Sequence, residues 1–235
     1  MQHEKQWRVC AHDCWRVRCH SLPWPKHVVL FGLILASFLL ILSTHSVNAQ
    51  TPTTTVAAGT QPLSVVVNPV TNKIYVANNG SNSVTVIDGA TNTTSTVATG
   101  AFTFALAVNP ATNKIYVSNS DSDSVTVIDG ATNGTTTVST GILPRGVAVN
   151  PVTNKIYVAN EGSGNVTVID GATNSTATVG AGTNPTAVAV NPVTNKIYVA
   201  NGGSNNVTVI DGATNNTTVV AAGTLPAARP ESSPN

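Results

Sequence analysis

The chain has 235 residues, is 41% hydrophobic and 9% charged, and carries a formal net charge of +1. Every Cys, His, Trp and Met lies in the first 49 residues, and from Gln50 onward six Lys/Arg face eight Asp/Glu. That composition excludes, for the region after Gln50, a Ser-His-Asp triad, a Cys nucleophile, thiolate or imidazole metal ligation and axial haem ligation. It also lacks the basic patch that a nucleic-acid surface needs.

Residues 1–49 read as an export segment. Arg16, Arg18 and Lys26 precede an apolar run from Val28 to Leu42, which is 15 residues long. A spanning helix needs about 20. Val47-Asn48-Ala49 then offers small residues before Gln50, so cleavage is expected between Ala49 and Gln50. The alternative is an uncleaved membrane anchor through residues 28–42. Cys10, Cys14 and Cys19 do not have the spacing of a zinc knuckle, and no metal or cofactor is expected. The expected localisation is extracellular, cell-surface or periplasmic.

Residues 50–58 are expected to form an extra outer strand, because Thr53-Thr54-Thr55-Val56 aligns with Thr94-Ser95-Thr96-Val97. A repeat then takes over, with Lys73, Lys114, Lys155 and Lys196 spaced by 41 residues. Tyr75, Tyr116, Tyr157 and Tyr198 keep the same step, as do Asp88, Asp129, Asp170 and Asp211. Each unit holds four strand signals. In the first they are Leu63 to Val67, Lys73 to Asn78, Ser83 to Asp88 and Thr93 to Thr99, separated by Asn-Pro and Gly/Asn turns. Four short strands per repeat of this length is the period of a propeller blade. Ile74-Tyr75-Val76-Ala77 is apolar on both faces of its strand, which stacked sheets would cover twice.

The expected fold is therefore an all-β propeller of four-stranded antiparallel blades behind a signal helix. The blades are 59–99, 100–140, 141–181 and 182–222, and residues 223–235 begin a fifth repeat and a disordered tail. The ring is expected to be partial, small or completed by an oligomer. A four-residue loop at Asn79 to Asn82 would set Lys73 opposite Asp88. The same register sets Lys114 by Asp129, Lys155 by Asp170 and Lys196 by Asp211. Each pair is expected to be a structural cross-strand ion pair.

The strings Tyr75-Val76-Ala77-Asn78, Tyr116-Val117-Ser118-Asn119, Tyr157-Val158-Ala159-Asn160 and Tyr198-Val199-Ala200-Asn201 resemble the YVTN-family β-propeller repeat. So do the flanking N-P-[VA]-T-N-K-I-Y-V and V-T-V-I-D-G-A-T-N segments. The third motif residue is Ala or Ser where the family has Thr. The resemblance implies an exported or cell-surface propeller, related to surface-layer propellers and more remotely to lactonase-like enzymes. Propellers of that family generally have seven blades.

The repeats differ mainly in two segments, the blade-to-blade link and the loop between the second and third strands. An up-and-down blade puts both on one side, as expected where a rigid scaffold carries function on loops. Gln61, Phe102, Phe104, Asp121, Asp123, Arg145, Glu161 and Asn184 are the candidate binding residues of that face. The expected function is a non-catalytic binding scaffold. Its expected partner is itself, by homodimerisation or strand exchange, or another envelope or extracellular protein or a glycan. A passive surface-layer-like structural protein is the alternative, and a lactonase-like propeller enzyme ranks below it.

Overall fold

The computed structural model describes residues 54–223. The export segment, the Ala49–Gln50 cut, the start of the extra strand and the tail after Gly223 lie outside the described residues. No described helix is long and apolar enough to cross a membrane.

Sixteen strands follow one another among the described residues. The first sheet is β1 (Pro62–Asn68), β2 (Lys73–Asn78), β3 (Ser83–Asp88) and β4 (Thr94–Ala98). The second is β5 (Thr103–Asn109), β6 (Lys114–Asn119), β7 (Ser124–Asp129) and β8 (Thr135–Ser139). The third is β9 (Pro144–Asn150), β10 (Lys155–Asn160), β11 (Asn165–Asp170) and β12 (Thr176–Gly180). The fourth is β13 (Pro185–Asn191), β14 (Lys196–Asn201), β15 (Asn206–Asp211) and β16 (Thr217–Ala221). Each sheet is antiparallel and ordered as in the chain, so each repeat is one up-and-down blade of a β-propeller. The first strands β1, β5, β9 and β13 pack on one another in succession and form the inner row.

Residues 54–58 form no strand, unlike the extra outer strand expected there. A strand needs a ladder partner. The sheet that this segment would complete has no other strand among the described residues.

The register follows from the turns. Asn78 pairs with Ser83, Tyr75 with Val86 and Lys73 with Asp88. A 3₁₀ turn at Asn79–Ser81 closes the loop, and Asn82 takes the left-handed region at φ 49° that Asn tolerates. At the other end Asp88 Oδ1 accepts from the Ala90 and Thr91 N–H groups, and Asn92 is again left-handed. This Asx turn repeats at Asp129, Asp170 and Asp211. It holds the Asp88, Asp129 and Asp170 carboxyls below their ordinary range. For Asp211 the Lys196 ammonium adds the largest contribution and brings the carboxyl to about 2.

Burial lies between blades. Tyr75, Val84, Val86 and Val97 of the first blade meet Leu106, Ile115, Val117 and Ile128 of the second in one apolar cluster. The same kinds of residue meet between the second and third blades and between the third and fourth. A polar latch accompanies each interface. Asn68 Nδ2 donates to Asn113 Oδ1 at 2.9 Å, Asn109 to Asn154 at 2.8 Å and Asn150 to Asn195 at 2.8 Å.

The lysines divide into two behaviours. Lys155 and Lys196 reach the aspartates opposite them, at 3.3 and 2.6 Å. Lys73 and Lys114 instead reach forward to the carbonyls of Gly130 and Gly171 in the next blade, at 2.6 and 3.0 Å. That departs from the four identical ion pairs expected. The backbone register aligns each pair, but a long flexible ammonium can choose between a carboxylate engaged in its turn and a neighbouring carbonyl.

Candidate functional site

The links and the second-to-third-strand loops are stitched to one another on one side of the molecule. Asn79 N–H donates to Gln61 O, Ser120 N–H to Phe102 O, Glu161 N–H to Leu143 O and Gly202 N–H to Asn184 O. Gln61, Phe102, Leu143 and Asn184 are all left-handed, with φ between 52° and 58°. The chain therefore makes the same sharp bend at the head of each blade. Within this frame Gln61 and Asn184 serve as bend residues, and Phe102 is a bend residue whose side chain stays 38% exposed. Asp123 also supports the backbone. Left-handed itself, it accepts from Leu143 N–H at 2.9 Å, as Asn82 does from Phe102 N–H. Asp121 sits exposed on the 3₁₀ turn Ser120–Ser122.

Just after the bend each inner strand slips register by one residue. Pairing moves from Pro62↔Asn78 to Ser64↔Ala77 in the first blade, and from Asn160↔Pro144 to Val158↔Val147 in the third. A bulge of this kind bends the strand and re-aims a side chain. It falls at Leu63, Phe104, Arg145 and Thr186, four residues at one repeat position that share no chemistry. The scaffold thus displays one variable side chain per blade at the rim of the inner row.

Two of these residues meet a third. The Arg145 guanidinium lies over the Phe104 ring, 4.6 Å from its centroid. Arg145 Nε donates to Glu161 Oε2 at 2.6 Å. Both charged side chains remain about a quarter exposed, at 25% and 27%. Stacking removes water from one face of the guanidinium, and the carboxylate fixes its Nε edge. An arginine held in this way presents its remaining N–H fork with its rotamer already selected, so less entropy is lost on binding. Glu161 also lines an open cleft of about 390 Å³ between the third and fourth blades, with Ser163, Thr183, Asn184 and Ser204.

Two serines hold this arrangement from behind. Ser118 Oγ donates to Arg145 O at 2.7 Å, and Ser120 Oγ donates to Pro144 O at 2.6 Å. The other blades have Ala77, Ala159 and Ala200 where Ser118 stands, so the signal was a single departure within the repeat. Gly146 completes the support. An added Cβ there would sit 2.9 Å from Thr186 O and 3.0 Å from Ala187 Cα, so β9 and β13 approach too closely for a side chain. Among the described residues no group of three or more His, Cys, Asp or Glu could hold a metal.

Comparison with known proteins fits this geometry. The family described as "Lactonase, 7-bladed beta-propeller" matches residues 49–177, more than half of the chain. The chain belongs to this propeller family. Among solved structures it is similar to hydrazine synthase of Kuenenia stuttgartiensis, with TM-score 0.62 and 25% identity over 73% of this chain and 52% of that one. It is also similar to the structure of U3-55K, with TM-score 0.62, 14% identity and coverage of 70% and 53%. The WD40 repeats of RRP9 give TM-score 0.62, 15% identity and coverage of 70% and 52%. The last two likenesses concern the fold alone. This family member spans about half the length of the solved chains it matches. No curated protein matches its sequence.

Proposed function

We propose that this chain is an exported, non-catalytic propeller of the YVTN type that acts as an interaction scaffold at the cell envelope or outside the cell. The observation that carries the binding role is the rim cluster of Phe104, Arg145 and Glu161. It is the place where near-identical repeats diverge, and the divergence brings an aromatic ring, a cation and an anion into contact. Drift in exposed loops would scatter unlike residues without assembling them. The export segment read from residues 1–49 supports the location. The partner class is an extracellular protein or a glycan that an oriented guanidinium and the adjoining polar cleft can hold.

The test is ligand-dependent thermal stabilisation across glycans and envelope proteins. A true ligand raises the melting temperature with concentration. Arg145→Ala should abolish that rise while leaving the unliganded melting temperature nearly unchanged, because a part-exposed ion pair is worth about 1 kcal/mol or less. A ligand whose stabilisation is indifferent to Phe104→Ala, Arg145→Ala and Glu161→Gln would remove the rim from the account.

The family match favours a second reading, lactone hydrolysis. It would have to use carboxylates such as Asp121, Asp123 and Glu161, since the region after Gln50 has no His or Cys. Lactone turnover lost on replacing these three would establish that reading over the scaffold.

A further inference from the structure

The three internal blade interfaces are built from one pair of complementary faces. The forward face of a blade carries a tyrosine and three valines, as at Tyr157, Val166, Val168 and Val179. The receiving face carries isoleucines and valines, as at Ile197, Val199 and Ile210. Wherever the two meet, the tyrosine is fully buried: Tyr75, Tyr116 and Tyr157 are each 0% exposed.

Both faces also occur once without a neighbour among the described residues. On the forward face of the fourth blade, Tyr198 is 41% and Val220 54% exposed, while their counterparts Tyr157 and Val179 are 0% and 6%. On the receiving face of the first blade, Val65 is 62% and Val67 54% exposed, while Leu106, the counterpart of Val65, is 6%. The polar latch is divided in the same way. Asn191 occupies the donor position of Asn68, Asn109 and Asn150, and Asn72 occupies the acceptor position of Asn113, Asn154 and Asn195.

We infer that a second copy of this chain occupies these faces, the fourth blade of each copy seating on the first blade of the other. What covers an apolar face is decided by complementarity. Here the matching face is already on the molecule, with the apolar set and the latch half that the internal interfaces use. The contact is head to tail and is made twice, so two copies close about a two-fold axis into eight blades, within the range that propellers adopt. This inference does not depend on the binding role of the rim.

The test is the solution mass of the full chain, as its cells process it, by light scattering over a wide concentration range. The expected result is a species of two copies. Val65→Asp and Tyr198→Asp each place an unpaired carboxylate at both contacts and should weaken the pair by about a hundredfold or more. Both positions are exposed within one copy, so the variants should keep the wild-type circular dichroism. Mixing the two variants leaves one contact wild-type and one doubly altered. The mixture should therefore associate more tightly than either variant alone. A single-copy mass at every concentration, a mass that keeps growing past two copies, or a mixture no tighter than its components would each overturn the inference.

Discussion

Replacing Thr126 by valine tests whether the Asn that ends each Tyr-Val-x-Asn motif is a structural anchor. Asn119 is 0% exposed, and its Nδ2 donates to Thr126 Oγ1 at 3.0 Å and to Ser124 Oγ at 3.3 Å. Thr126 is itself 3% exposed, and its hydroxyl also accepts from Gly100 N–H at 3.4 Å. The equivalent bond is 2.9 Å from Asn78 to Thr85, from Asn160 to Thr167 and from Asn201 to Thr208. Valine keeps the branched shape and the strand preference but removes the acceptor. The buried Asn119 amide and the part-buried Gly100 N–H then lose a partner, with only the longer bond to Ser124 left for the amide. An unmet buried donor costs about 1–3 kcal/mol, so Thr126→Val should destabilise by about that amount. Thr137→Val is the control, since Thr137 pairs with Thr126 across the sheet but is exposed. Its effect should stay within about 0.5 kcal/mol. Urea melts report both, as a shift in midpoint at constant slope. If Thr126→Val matched the control, the reading of these asparagines as buried anchors would be wrong.

Acid should weaken the fold over a defined window. The folded Asp88, Asp129, Asp170 and Asp211 carboxyls lie below their ordinary range. Their stabilisation is therefore complete above about pH 4, where unfolded carboxyls titrate. It is lost as pH falls, for Asp211 toward about pH 2. Melts across this range should show the loss, and Asp211→Asn should shorten it. Gly146→Ala should lower stability by about 1–3 kcal/mol through the contact with the β13 backbone, as read from a thermal melt.

Much of this architecture is legible before any coordinates. The loop at Asn79 to Asn82 sets the register, because four residues between two strands leave one way to pair Asn78 with Ser83. Periodic asparagines and glycines mark the bends, since these residues tolerate a left-handed backbone. The sidedness of the variable segments follows from up-and-down connectivity alone. What could not be read concerns side-chain choice and fine slippage. Lys73 and Lys114 leave their aspartates for the next blade because an alkyl-ammonium stem has two acceptors in reach. Phe104, Arg145 and Glu161 were legible as members of one face but not as a cluster. Their meeting depends on bulges beside Phe104 and Arg145 and on how closely neighbouring inner strands approach. Asp123 reads in the sequence as one of the candidate binding residues of the variable face, yet its carboxylate accepts from the Leu143 N–H. Ser118 reads as a neutral variant of alanine, but its hydroxyl holds the Arg145 carbonyl.

The tyrosines give the most direct test of blade-on-blade burial, because all 4 in the chain sit at the same repeat position. Burial against the following blade pushes the Tyr75 and Tyr157 hydroxyls above their ordinary range and the Tyr116 hydroxyl up to about 12. The negative charges of Asp129, Asp211 and Asp170 in those blades add to the rise. A spectrophotometric titration of phenolate in the folded protein should thus show Tyr75, Tyr116 and Tyr157 still protonated after model tyrosine has ionised near pH 10. Ionisation of all 4 near that pH, with the strands still intact by circular dichroism, would mean that the blades do not cover one another.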